Sequence, residues 1–267
     1  MDVATQAQID AALTYERLFV PAEFQEWAGR MADAADIRLG MRVLDVACGT
    51  GVLARTLAAR VGRDGFVAGV DPDPGMLTVA ARLAPAVEYR QGAAESLPYP
   101  DGSFDRVVSQ FGLMFFSDRE RALREMQRVT KPGGRIVVAV WGRLEETPAY
   151  AQLVKILESV AGSAAAQPLR APFALGERDV LASLFTRAGF AEARIETQDG
   201  VSRFPSIRTL VEADLRGWLP VMGVVLREDE IERIIAIAER ELTEYLTPEG
   251  KVQFISPAHI VTASRAM

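Results

Sequence analysis

The sequence predicts a doubly wound α/β fold, and three observations carry that reading. Short apolar runs at 41–47, 66–70, 87–90, 104–109 and 135–141 are separated by segments with helical spacing. Turn signals punctuate them, among them Cys48-Gly49-Thr50-Gly51, Asp71-Pro72 and Lys131-Pro132-Gly133-Gly134. The 267 residues, 49% hydrophobic and 25% charged, have ordinary globular composition and suffice for one large core carrying an insertion. Strands alternating with helices require crossovers, and right-handed crossovers give a parallel sheet covered on both faces.

Taken in order, residues 9–35 show a helical pattern with Tyr15, Phe19, Phe24 and Trp27, broken once at Pro21. Met41 to Ala47 reads as a buried strand ending in the glycines, and Val52, Leu53, Leu57 and Val61 mark the helix that follows. Gly65 opens the strand 66–70, Pro74 to Leu83 suits a helix, and 87–90 is a third strand. A loop rich in Pro, Gly and Ser (92–103) leads to a strand at Phe104 to Ser109, a helix over 118–130 and a fifth strand from Arg135 to Trp141. Beyond it, helices are expected at 148–161 and 177–188, a loose small-residue loop at 161–168 and a strand at 193–204. Residues 205–249 interrupt the rhythm. There Ile231, Ile234, Ile235, Ala238, Leu242 and Tyr245 define an amphipathic helix with an acidic outer face, whose start carries the acidic run 228–232. A closing strand follows at 259–264. This divides the chain into an N-terminal helical segment (1–40), a core domain (41–204 and 250–267) and a helical insertion (205–249) over the carboxyl edge of the sheet, which is either a lid or a homodimer contact.

Composition excludes several classes. Thirty basic against thirty-six acidic residues leaves a net charge of −6, without the basic surface that nucleic-acid binding requires. One cysteine, Cys48, excludes a disulfide framework, and one histidine, His259, means that a metal site would be nearly all carboxylate; no metal is expected. The start, Met1-Asp2-Val3-Ala4, lacks a basic region followed by an apolar one, and no apolar run reaches membrane-span length. The expectation is a cytoplasmic protein without a membrane span.

In open α/β sheets the ligand lies beyond the carboxyl ends of the strands. The first strand delivers Asp45 there, followed by Gly49 and Gly51, whose backbone a ligand can touch directly. Gly49-Thr50-Gly51-Val52-Leu53-Ala54 also fits a loose dinucleotide fingerprint. Asp45 discriminates, because a carboxylate repels a pyrophosphate and attracts an ammonium or sulfonium. That favours S-adenosylmethionine over NAD.

The stretch from Val43 to Trp141 resembles class I S-adenosylmethionine-dependent methyltransferases, particularly the ubiquinone/menaquinone-biosynthesis type. The matching motifs are Val-Leu-Asp-Val-Ala-Cys-Gly-Thr-Gly (43–51), Gly-Val-Asp-Pro-Asp-Pro-Gly-Met-Leu (69–77), Gly-Ala-Ala-Glu-Ser-Leu-Pro-Tyr (92–99), Ser-Phe-Asp (103–105) and Lys-Pro-Gly-Gly (131–134). The resemblance implies a Rossmann-like, mostly parallel seven-stranded sheet whose last strand is antiparallel. It also implies that Asp45, Ala47, Gly49, Thr50 and Gly51 line the methionine end of the cofactor. Asp71 would accept hydrogen bonds from both ribose hydroxyls. Pro72 and Met76 would pack on the adenine, Ala94 would offer its N–H to the ring, and Gln110 and Phe111 would lie beside the sulfonium. The family commonly has Asp where Ala93 stands; Glu95 or a water is then expected to read the adenine amino group.

No catalytic dyad is evident, and in-line methyl transfer needs alignment and water exclusion more than acid–base chemistry. Should the acceptor need a base, the candidates are His259, Tyr15 and Glu16; a structural His259 is the competing expectation. Cys48 reads as a small buried filler rather than a nucleophile. Tyr15 and Phe19 either close over the cofactor or pack on the sheet, and Phe111, Met114, Phe115 and Phe116 are either core or pocket wall. Ser109-Gln110-Phe111-Gly112 stands where methyltransferases of planar nucleobase or amide nitrogens carry Asn/Asp-Pro-Pro-aromatic, which argues against that subclass. The apolar 111–116 stretch, Trp141 and Trp218-Leu219-Pro220 point to a small hydrophobic acceptor, with S-adenosylhomocysteine as by-product. Two further readings stand beside this one: an NAD-dependent oxidoreductase, and a methyltransferase-like fold that binds the cofactor without transfer.

Overall fold

The computed structural model describes residues 3–267; Met1 and Asp2, on which part of the leader expectation rests, lie outside the described residues. The chain runs α1 (Gln6–Phe19), a π-helical turn (Val20–Phe24), α2 (Gln25–Ala34), β1 (Arg42–Val46), α3 (Val52–Val61), β2 (Phe66–Asp71), α4 (Pro74–Leu83), β3 (Glu88–Gln91), β4 (Phe104–Gln110), α5 (Arg119–Val129) and β5 (Thr130–Trp141). It continues with α6 (Pro148–Ala161), α7 (Ser163–Arg170), α8 (Arg178–Arg187), β6 (Ala193–Gln198), β7 (Val201–Phe204), α9 (Ile207–Glu212), a second π-helical turn (Ala213–Trp218), α10 (Leu219–Val221), α11 (Glu228–Glu241), β8 (Val252–Ile255) and β9 (Ala258–Ser264).

Seven strands form one sheet in the order β3-β2-β1-β4-β5-β9-β6. β1 to β5 are parallel to their neighbours, and β9 runs antiparallel between β5 and β6. Helices on both faces bury β1, β2 and β5 almost completely, which is why their sequences read as near-continuous apolar runs. The strand order reverses between β1 and β4, where Asp45 pairs with Val108. That reversal opens a crevice at the carboxyl ends of these two strands, flanked by Ala47 and Gln110.

A second apolar cluster sits apart from the sheet core. It joins α6, α7, α9, α11 and the β7–β8 ribbon to Phe19 and Ala22 of the N-terminal segment. This layer therefore draws on 149–169 and 252–254 as well as on the 205–249 insertion.

Four local expectations change. The 9–35 pattern is not broken at Pro21: the helical run continues from α1 into α2 through a π-helical turn, Pro21 sitting in the widened part, as at other sites where proline disrupts the regular ladder. Residues 161–168 are not a loose loop, because Gly162 (φ +86°) ends α6 and the run Ser163-Ala164-Ala165-Ala166 starts α7, a good helix-forming sequence that buries Ala165, Ala166 and Leu169. The strand at 193–204 is two strands in different sheets, bent at Asp199-Gly200, a turn pair whose weight goes unused when the segment is read as one strand. A side chain at Gly200 would lie 2.3 Å from the Trp27 ring, so the bend needs glycine for space. Finally, 250–267 does not belong wholly to the core sheet, since β8 pairs with β7.

α1 is clasped against α4. A Cβ on Gly75 would stand 2.5 Å from the backbone oxygen of Gln8. Gly75→Ala should therefore leave α4 formed, even favoured by about 1 kcal/mol of helix propensity, while pushing α1 away. Hydrogen–deuterium exchange is expected to accelerate over 6–19 with β1 and β4 unchanged; unaltered exchange in α1 would contradict the clasp.

Candidate functional site

The turn after β1 is wound tightly by residues with positive φ. Ala47 (φ +57°), Gly49 (+54°) and Gly51 (+83°) reverse the chain so that α3 starts beside the crevice, and Phe111 (+56°) does the same after β4. Non-glycine residues held in this region are strained and concentrate at functional sites. Asp71, at the end of β2, fixes the turn: one carboxylate oxygen accepts from the Gly49 N–H (2.9 Å), the other from the Asp73 N–H (3.0 Å). Asp73 in turn caps α4 by accepting from Gly75 and Met76.

Asp45 is different. Its side chain is 1% exposed, and neither carboxylate oxygen has a hydrogen-bond partner. Burial pushes its pKa well up, the nearby Asp71 charge adds to the rise, and the Ala54 backbone N–H opposes it. An isolated buried carboxylate costs several kcal/mol, so burial favours the neutral form of Asp45 until a cation joins it. Burial also raises Asp71 to about 6, against the opposing pull of its two backbone donors. Asp45, Ala47, Gly49, Thr50 and Gln110 line a small cleft with Tyr15 and Phe24 on its outer side. The Gln110 side chain donates to the Phe24 carbonyl (3.2 Å), and its buried carbonyl oxygen has no partner. Unpartnered acceptors at a crevice, with no cation among the lining residues, fit a small positively charged ligand.

Beyond Tyr15 and Phe24 lies a larger cavity enclosing about 690 Å³ of empty space, its mouth included. Its walls are aromatic. Phe111 stacks on Trp141 (centroids 3.8 Å apart, planes 9°), Phe24 leans on both, and Phe115 meets Trp218 across the mouth. Phe111, Phe115, Trp141 and Trp218 thus come together as pocket wall, while Met114 is buried in the sheet core and Phe116 packs against it. Two acids also face this cavity, Glu23 and Asp214. Both are buried, and each rides on one of the two π-helical turns. Burial raises Glu23 to about 7, against the Tyr150 and Ser202 hydroxyls; burial and the Glu23 charge push Asp214 well above the usual carboxylate range, against the Tyr150 hydroxyl. Glu23, Tyr150 and Asp214 were not singled out from sequence. A signal existed: Glu23 and Asp214 each interrupt an apolar helical stripe, Phe19/Val20–Trp27 and Leu210/Val211–Leu215.

The remaining expected residues lie elsewhere. His259 is 2% exposed on β9, with Nε2 bonded to the Gly176 carbonyl (2.8 Å) and Nδ1 to the Thr197 hydroxyl (2.9 Å). Both ring nitrogens are used, so it is structural and not a base. Glu16 is taken by the Thr50 hydroxyl and by Arg55 (2.8 Å), which strap α1 to the glycine turn. Tyr15 borders both cavities, but burial and the surrounding acids push its pKa upward, which removes it as a base near neutrality. Glu95 caps the start of the α5 region, one carboxylate oxygen accepting from the Ser117 and Asp118 N–H groups. Pro72 and Ala93 are exposed, Met76 is half-buried and Ala94 is buried; none borders the cleft, nor do Asp71 and Gly51. α1 covers this side, with Tyr15 reaching Gly49 and Gln8 reaching Gly75.

Residues 44–138 match the model of the methyltransferase domain family. The ubiquinone/menaquinone biosynthesis C-methyltransferase UbiE of Hahella chejuensis is 42% identical over 118 residues, covering 42% of this chain and 47% of that protein. The chain thus matches about half the length of such relatives. The YcgJ protein of Bacillus subtilis superposes with a TM-score of 0.60 at 22% identity, over 91% of this chain and 99% of that one. The phosphoethanolamine N-methyltransferase 2 of Haemonchus contortus, crystallised with S-adenosyl-L-methionine, gives a TM-score of 0.61 at 17% identity, over 98% and 58% of the two chains. These structural likenesses establish the fold: the seven-stranded sheet is the Rossmann-like sheet of methyltransferases, and the family match falls on its first five strands.

Glu23 offers a stability test. Its neutral form is favoured by the fold, so its contribution is full below the ordinary value of 4.5 and is lost as pH rises through about 7. The loss amounts to about 3 kcal/mol. The melting temperature of Glu23→Gln minus that of the wild type should grow between pH 5 and pH 8, as measured by calorimetry; a constant difference would contradict the burial.

Proposed function

We propose that the chain is an S-adenosylmethionine-dependent methyltransferase acting on a small, largely apolar molecule in the cytoplasm. The observation that carries this reading is Asp45, a buried acid without a partner at the carboxyl end of β1, inside a domain of the methyltransferase family. The cofactor brings an activated methyl group on a sulfonium, an excellent leaving group.

The chain's own residues do the rest. Asp45 gives up its proton and pairs with the ligand's ammonium, replacing a neutral buried acid by a compensated charge. The backbone of Gly49 lies open to close approach because it carries no Cβ. α3 begins at Gly51 with no side-chain cap, so its leading N–H groups suit the ligand's carboxylate. Asp71 keeps lone pairs beyond the two bonds it makes to backbone, and we assign it to the ribose hydroxyls. That side is covered by α1, so α1 lifts when the nucleoside enters. Tyr15 and Phe24 stand between cofactor cleft and aromatic cavity, where they align the acceptor and exclude water.

An NAD-dependent reading is disfavoured by charge. A pyrophosphate would face Asp45, Asp71 and Glu16, and the nearby cation, Arg55, is already paired with Glu16. The segment 205–249 is assigned as a wall of the acceptor cavity rather than as a homodimer contact, because it supplies Asp214 and Trp218.

Asp45→Asn separates binding from folding. Losing a charge-assisted contact should weaken S-adenosylmethionine binding about tenfold or more, measured by calorimetric titration. The same change removes a buried acid, so thermal stability should hold or rise. Equal affinity in the variant would remove the basis of the proposal, and binding without any product gaining a methyl group across an apolar acceptor panel would leave a non-transferring binder.

A further inference from the structure

The aromatic cavity carries more acid than an apolar acceptor needs. Glu23 and Asp214 face it with the Tyr150 hydroxyl beside both, and among the described residues that line it there is no lysine, arginine or histidine. One carboxylate oxygen of Asp214 is buried without a partner, and so is the hydroxyl of Thr147 on the same cavity wall. Ser202 donates to Glu23 at 3.2 Å and the Tyr150 hydroxyl bonds it as well, so the open acceptor of the pair is on Asp214. Both acids sit on π-helical turns, an uncommon geometry that recurs at functional sites. A ligand without a hydrogen-bond donor would leave the open oxygen unmatched, and no basic side chain lines the cavity to receive an anion.

Building on the methyltransferase reading, we propose that the acceptor carries a basic nitrogen, and that its ammonium sits on the Glu23–Asp214 pair while its apolar body lies among Phe111, Trp141 and Trp218. The ligand charge would satisfy the open oxygen of Asp214 and compensate one ionised carboxylate of the pair, the other acid keeping its proton. The aromatic faces around it favour a cation again, through the ring quadrupole. The cavity thereby distinguishes an amine from the alcohol or acid of the same shape, since a buried polar group left unpaired is costly.

Three probes of one shape test this: phenethylamine, phenethyl alcohol and phenylacetate, titrated calorimetrically into the full chain saturated with S-adenosylhomocysteine. Phenethylamine is expected to bind at least about tenfold more tightly than the alcohol, with phenylacetate weakest. Glu23→Gln and Asp214→Asn should each shrink the advantage of the amine, and the double variant should abolish it. Amine binding that is unmeasurable, no tighter than the alcohol, or undiminished in the double variant overturns the inference. A prior titration with S-adenosylhomocysteine alone keeps the two readings apart: its failure sinks the cofactor assignment, whereas its success with no preference for the amine sinks only the ammonium site. Circular dichroism and melting curves of both variants confirm that they fold, as removing a buried acid should permit.

Discussion

The candidate site depends on one buried acid without a counterion. Asp45 is delivered by β1 to the point where the strand order reverses and is buried there without a cationic or side-chain partner, only the Ala54 backbone N–H favouring its charged form. A fold with a net stability of about 5–15 kcal/mol does not keep such a group for stability's sake; an amide or a hydrophobic residue would serve better. What surrounds it explains its retention. The turn from Ala47 to Gly51 is held by Asp71 and strapped by Glu16, Thr50 and Arg55, so the acid faces a cleft of fixed shape.

The second layer builds on the first. Helices α6, α7, α9 and α11 could bury their apolar faces against the sheet, yet they form their own cluster with Phe19 and Ala22. Between that cluster and the carboxyl edge of the sheet a space remains, closed by the Phe111–Trp141 stack below and by Trp218 above. Tyr15 and Phe24 belong to both cavities, so the N-terminal segment couples cofactor and acceptor sites physically. The same segment closes the Asp71 side through α1, which links ligand entry to movement of one helix.

Much of this was legible because it is local. The strand-turn-helix units of the sheet, the glycine turn and Asp45 all follow from short-range pattern, and the reversal of strand order follows from crossover handedness. The pocket aromatics Phe111, Trp141 and Trp218 were also visible as apolar residues outside the regular core. What failed depended on partners distant in sequence. Glu16 looked free until Arg55 and Thr50 folded against it, Glu95 until Ser117 and Asp118 reached it, and His259 until Gly176 and Thr197 closed on its ring. Glu23 and Asp214 escaped notice for the same reason: their burial exists only once the N-terminal segment meets the insertion. Within the local signals, Asp199-Gly200 and the alanine run of α7 were present and given too little weight.

The most direct measurement is the number of protons released when S-adenosylmethionine binds near pH 7, obtained by titration calorimetry in buffers of different ionisation enthalpy. If Asp45 is neutral in the free protein and charged beside the ligand's ammonium, the wild type should release close to one proton more than Asp45→Asn. Identical proton release by the two proteins would contradict the account, because Asp45 would then have kept one charge state throughout instead of ionising as the cation arrives.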